Sequence, residues 1–192
     1  MKRAECRVLM LVVLLVAGCG GKSTPATATL KVINSLSVSI DQVYLSPVSQ
    51  ETWGVNQLSQ AVPPGGSVQL TSVPAGSYDV KEVASNGAAA TLRNVQLVAG
   101  ATFTLTVAPG ALKLVNLSGQ TVWRLRLSPT SSDLWGPDQL GTSIVASGNS
   151  FTLGGVPPGA YDLRAELYSG AYRYASNFVI NSASTTTVTV TY

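Results

Sequence analysis

The second half of this 192-residue chain repeats the first. Leu30-Lys31-Val32-Ile33-Asn34 matches Leu112-Lys113-Leu114-Val115-Asn116, and Leu45-Ser46-Pro47 matches Leu127-Ser128-Pro129. Trp53-Gly54-Val55-Asn56-Gln57-Leu58 matches Trp135-Gly136-Pro137-Asp138-Gln139-Leu140, and all three pairs share an offset of 82. One inserted residue between Gly141 and Ile144 changes the offset to 83. It then aligns Val73-Pro74-Ala75-Gly76-Ser77-Tyr78-Asp79-Val80 with Val156-Pro157-Pro158-Gly159-Ala160-Tyr161-Asp162-Leu163, and Thr102–Val107 with Thr185–Val190. A chain built this way folds as one module written twice.

Each copy reads as all-β. Runs with period-2 alternation cover 30–34, 38–45, 68–71, 78–84, 90–97 and 102–107, with counterparts at 112–116, 121–127, 151–153, 161–168, 172–180 and 185–191. Pro and Gly punctuate them, as in Pro63-Pro64-Gly65-Gly66 and Ser169-Gly170. Six or seven short strands in about 80 residues fit a small antiparallel β-sandwich. A single copy is near the lower size limit for a domain without disulfides, so the two are expected to pack end to end at a restricted angle. The domain reading is a signal at 1–18, a tether at 19–28, and sandwiches at 29–108 and 109–192.

The N-terminus has the layout of an export signal. Lys2, Arg3 and Arg7 precede an apolar run from Leu9 to Val16, which is too short to remain as a spanning helix. Leu15-Val16-Ala17-Gly18-Cys19 resembles a bacterial lipobox. That resemblance implies a diacylglycerol on the Cys19 thiol, cleavage before it, and a lipid-anchored envelope protein. Gly20 after the cysteine, rather than Asp, implies the outer membrane. Cleavage removes Cys6, so no disulfide can form between the two cysteines of the chain. It also removes three of the twelve basic residues and one of the nine acidic ones, leaving a nearly neutral mature chain.

Several residues are retained in both copies. Tyr78 and Tyr161 follow a Val-Pro-x-Gly turn and are expected to face the core, each hydroxyl paired at a sheet corner. Tyr161, Leu163, Ala165 and Leu167 share the inward phase, while Asp162, Arg164, Glu166 and Tyr168 face out. In the first copy Glu82 falls on the inward phase, which predicts a bulge or an edge position there. The loop after Ser-Pro carries Glu51, Trp53 and Asn56 in one copy and Asp133, Trp135 and Asp138 in the other. Three readings of that loop stand. The tryptophan caps the open end of the sandwich, with Asn56 and Asp138 in side-chain turns; or the group holds a sugar ring; or it holds a hard cation.

One feature belongs to the second copy alone. Arg124 and Arg126 share an outer face, with Arg164 and Arg173 expected on neighbouring strands, Tyr168 and Tyr172 adding aromatic surface, and Asp162 and Glu166 neutralising part of the charge. This is either a solvated, partly paired face or a patch for an anionic ligand. No nucleic-acid signature accompanies it. The absence of histidine and of a phosphate-binding glycine loop leaves catalysis without a constellation, and no cofactor is indicated. At 11% charged residues the chain is far below the roughly 25% of ordinary domains.

The Val-Pro-x-Gly-x-Tyr strand start is similar to prealbumin-like and carboxypeptidase-regulatory-like modules. The Leu-x-Val-x-Asn opening resembles a bacterial surface domain of unknown function. These resemblances imply a β-sandwich fold. The functional expectation is a lipid-anchored, non-catalytic structural or protein-interaction module, with glycan or other cell-wall ligand binding through the Trp-Gly loops as the alternative. Buried tryptophans would favour the first, and exposed ones the second.

Overall fold

The computed structural model describes residues 26–192. The signal, Cys19 and the tether up to Pro25 lie outside the described residues. Thr27 and Ala28, which the sequence reading assigns to the tether, are already paired in the first strand. No helix among the described residues is long and apolar enough to cross a membrane.

The first repeat contains β1 (Thr27–Asn34), β2 (Ile40–Pro47), β3 (Ser67–Pro74), β4 (Gly76–Ala84), β5 (Ala89–Leu97) and β6 (Thr102–Val107). The second contains β7 (Gly110–Asn116), β8 (Val122–Pro129), β9 (Ser150–Val156), β10 (Gly159–Leu167), β11 (Tyr172–Ile180) and β12 (Thr185–Val190). The described residues are all-β, as their alternation predicts. Each repeat is two three-stranded sheets: β3-β1-β6 over β2-β4-β5, and β9-β7-β12 over β8-β10-β11. The inward phases supply the core, with Leu30, Val32, Val43 and Val80 in one repeat and Leu112, Leu114, Leu125 and Leu163 in the other. Each of these large side chains is withdrawn from water, a gain of about 1.5–3 kcal/mol apiece.

One pairing departs from an antiparallel arrangement. The first and last strands of each repeat run parallel, β1 beside β6 and β7 beside β12. Parallel neighbours have their starts at the same end, so the chain enters a repeat at one end and leaves at the other. The second copy therefore starts at the end where the first one finishes.

The join is held from both sides. Ser182 Oγ donates to Ala108 O at 2.9 Å and accepts from Ala108 N at 3.1 Å. Ser131 Oγ donates to Gly87 O at 2.7 Å across the repeats. The turn before β5 sits so close to the start of β10 that a Cβ on Gly159 would come within 3.0 Å of Ala89 N.

Glu82 is neither at an edge nor in a bulge. β4 is the central strand of its sheet, and Glu82 pairs in regular register with Val43 and Ala90. The side chain is buried and lines a pocket of about 250 Å³ at the join, among Leu105, Val107 and Pro158. Burial pushes its carboxyl up to about 8, opposed by a hydrogen bond from its own backbone. A carboxylic acid that keeps its proton tolerates this place, which a carboxylate would not.

Candidate functional site

The retained residues serve the fold by identifiable bonds. Asn34 and Asn116 end their strands fully buried. Asn34 Nδ2 donates to Val38 O and Val62 O, and Asn116 Nδ2 donates to Gln120 O and Val145 O at 2.7 Å each. Tyr78 donates its hydroxyl to Pro74 O at 3.0 Å and Tyr161 to Pro157 O at 2.8 Å, the sheet-corner role expected of them. Burial pushes the Tyr161 phenol up to about 12, opposed by a hydrogen bond from Asn86 of the other repeat. Asp79 accepts from Asn94 N and Asp162 from Asn177 N, each clamping a bulge whose asparagine lies at positive φ.

The Trp-Gly loops fold over the outer faces of β2-β4-β5 and β8-β10-β11 and do not cap the open ends. Buried Ser46 and Ser128 anchor them by donating to Thr52 O and Leu134 O, each at 2.8 Å. Asn56 Oδ1 accepts from Val43 N and Leu58 N, and Asp138 Oδ1 accepts from Leu125 N and Leu140 N. These are the side-chain turns of the structural reading. Glu51 and Asp133 are exposed. The six loop residues do not converge, because each triplet stays on its own repeat. Trp53 and Trp135 are half-buried, between the two expectations, because one ring face lies on a cation. Lys81 Nζ stands 5.1 Å from the Trp53 ring and 4.8 Å from Tyr44, and the Arg164 guanidinium stands 5.1 Å from Trp135. No group of three or more Cys, Asp or Glu side chains gathers among the described residues.

The outer face of β8-β10-β11 is more elaborate. Register aligns Arg126, Arg164 and Tyr174 across the sheet, and Arg124, Glu166 and Tyr172 beside them. All three arginines converge on Glu166, at 3.6 Å from Arg124, 3.1 Å from Arg126 and 3.2 Å from Arg164. Glu166 has the outward phase expected of it, yet it is buried, because the guanidiniums cover it. Asp162 does not share in this neutralisation; its carboxylate is spent on Asn177 N. Arg173 is not part of the face either. It takes the opposite phase on β11 and donates to Thr191 O at 2.8 Å.

Aromatic rings lie on both sides of this ionic centre. On one side Trp135, Tyr174 and Tyr172 form a chain, with centroids 6.1 and 6.3 Å apart, and Arg164 lies 5.2 Å from Tyr172. On the other, Arg124 covers Trp123 at 3.8 Å, and Tyr168 stands 6.4 Å from Trp123. The place of Tyr174 was legible in the Tyr-Arg-Tyr alternation of β11. That of Trp135 was not, since a loop residue has no strand phase.

No family model and no curated protein matches the chain. Among solved structures, the Bacillus anthracis TIE protein aligns at 11% identity and a TM-score of 0.31, over 86% of this chain and 34% of its own. The chain thus spans about a third of that protein. A double mutant of the shaft pilin SpaA from Lactobacillus rhamnosus GG aligns at 9% identity and a TM-score of 0.25, covering 88% and 98%. A Bacteroides ovatus protein described as an adhesin aligns at 9% identity and a TM-score of 0.28, covering 81% and 82%. Similarity of this degree carries nothing about ligand, partner or activity.

Proposed function

We propose that this protein is a lipid-anchored, non-catalytic interaction module of the bacterial cell envelope. In this reading the first repeat stands the second off from the membrane, and the second makes the contacts. The observation that carries it is the parallel pairing of first and last strands in both repeats, which sends the chain in at one end and out at the other. Hydrogen bonds at the join support it, since they oppose bending between the copies. The anchor rests on Cys19 at the close of a lipobox-like segment, with the outer membrane as the destination. Two or three acyl chains suffice for stable attachment. Cys19→Ser tests it: the wild-type protein fractionates with outer membranes and incorporates a palmitate analogue, and the variant does neither. A wild-type protein that is unlabelled, or a variant that is still labelled, contradicts the anchor.

A second reading, binding of a glycan at the Trp-Gly loops, is supported by the partly exposed Trp53 and Trp135 on outer faces. Tryptophan rings present flat apolar surface beside polar groups, the chemistry a sugar ring requires. Asn56 and Asp138 are committed to backbone amides, so in this reading the rings and the exposed Glu51 and Asp133 make the contacts.

A further inference from the structure

We infer that the outer face of β8-β10-β11 is a binding site for an acidic polysaccharide, with sugar rings on its aromatic platforms and anionic groups on its arginines. The inference deepens the interaction role proposed above and names its ligand class.

The duplication supplies an internal control. Both repeats fold to the same pair of three-stranded sheets, so what the fold needs is present in both. The second repeat has Trp123, Arg124, Arg126, Tyr168, Tyr172 and Tyr174 where the first has Asp41, Gln42, Tyr44, Ser85, Ala89 and Thr91. The first repeat folds without those side chains, so their accumulation on one face of the second is not explained by folding.

The face is also unlike an ordinary solvated surface. Tyr168, Tyr172 and Tyr174 are 73%, 48% and 59% exposed, an aromatic density that water does not favour. Three guanidiniums meet one carboxylate, leaving two positive charges uncompensated at the centre. Arg164 Nε is the one buried side-chain nitrogen or oxygen without a hydrogen-bond partner among the described residues, and the Arg124 side chain keeps 41% of its surface open. Glu166 holds the guanidiniums in place before any ligand arrives, so little side-chain entropy remains to be lost on binding.

Size and order fit a chain of sugars. The platforms lie on either side of the arginines, and the stretch of β10 from Arg164 to Tyr168 is about 13 Å long. A polymer lying along this line stacks a ring at each platform and places a carboxylate or sulfate between them. The flat, hydroxyl-bearing tyrosines suit a sugar face better than a lipid tail.

The test uses the full chain in detergent, titrated at low salt while tryptophan fluorescence and heat are followed. The probes are an oligogalacturonate, a chondroitin sulfate oligosaccharide, a neutral galactan oligosaccharide and glycerol phosphate as a lipid-headgroup mimic. The expected result is saturable binding of one or both acidic oligosaccharides, at least about tenfold tighter than either other probe. Tyr174→Ala and Arg124→Ala each weaken it about tenfold with an unchanged melting temperature, and Tyr44→Ala in the first repeat has no effect. Equal binding of neutral and acidic oligosaccharides overturns the inference while leaving a glycan-binding module standing. Glycerol phosphate matching the oligosaccharides overturns it in favour of a headgroup, and no binding of either acidic oligosaccharide overturns it outright. None of these outcomes depends on whether Cys19 is acylated, so failure here and failure of the anchor are separate.

Discussion

Glu82 shows how a single residue in this chain sets a pH dependence. In the fold its carboxyl is pushed up to about 8 by burial, while its ordinary value is 4.5. The unfolded chain therefore ionises first as pH rises. The contribution to stability is full below about 4.5, falls through the interval, and is lost above about 8. Glu82→Gln removes the titration, so thermal melts between pH 4.5 and 9 should show a flatter curve for the variant, more stable at pH 8 by a few kcal/mol. Identical pH profiles for the two proteins would contradict this. The sequence phase placed Glu82 inward correctly. It could not show that a pocket at the join receives an acid that keeps its proton, and so suggested a bulge. The retained asparagines, tyrosines and aspartates were legible as a repeated set. Their bonding partners were not, because Asn34 and Asn116 reach carbonyls in loops far along the chain.

At the scale of elements, alternation located the twelve strands of the described residues, since one buried face imposes a period of two. The pattern lost β3 and β9 after Thr71 and Leu153, where each continues through a bulge to its last residue. At that bulge Gly155 has φ of 74°, and its counterpart Ser72 has φ of 60°. Left-handed backbone costs a residue with a Cβ roughly 1 kcal/mol or more. Ser72→Gly is therefore expected to stabilise the protein by about 0.5–1 kcal/mol in denaturant unfolding, and a loss of stability would count against the strain. The loops were the least legible elements. Their repeated Trp-Gly signature was visible, but not that Ser46 and Ser128 fold them back over the sheets. That packing brings Trp135 beside Arg164 and makes it part of the arginine face.

For the whole molecule, duplication was plain in the sequence and its geometric consequence was not. Strand direction is invisible in an alternation pattern, so the parallel β1–β6 and β7–β12 pairs appear only in the fold. They order the protein from tether to far end, with Tyr168 of the second repeat following the last residue of β10 on the side away from the join. The two repeats are similar sandwiches that differ in this outer face, where only the second gathers three arginines on one glutamate. The central claim is that this face, and not its counterpart, meets the ligand. Amide and indole chemical-shift mapping of the isotope-labelled chain with an acidic oligosaccharide tests it most directly. The account predicts shifts confined to β8, β10, β11 and the Trp123 and Trp135 indoles; equal shifts around Trp53 and Lys81, or none on the second repeat, would contradict it.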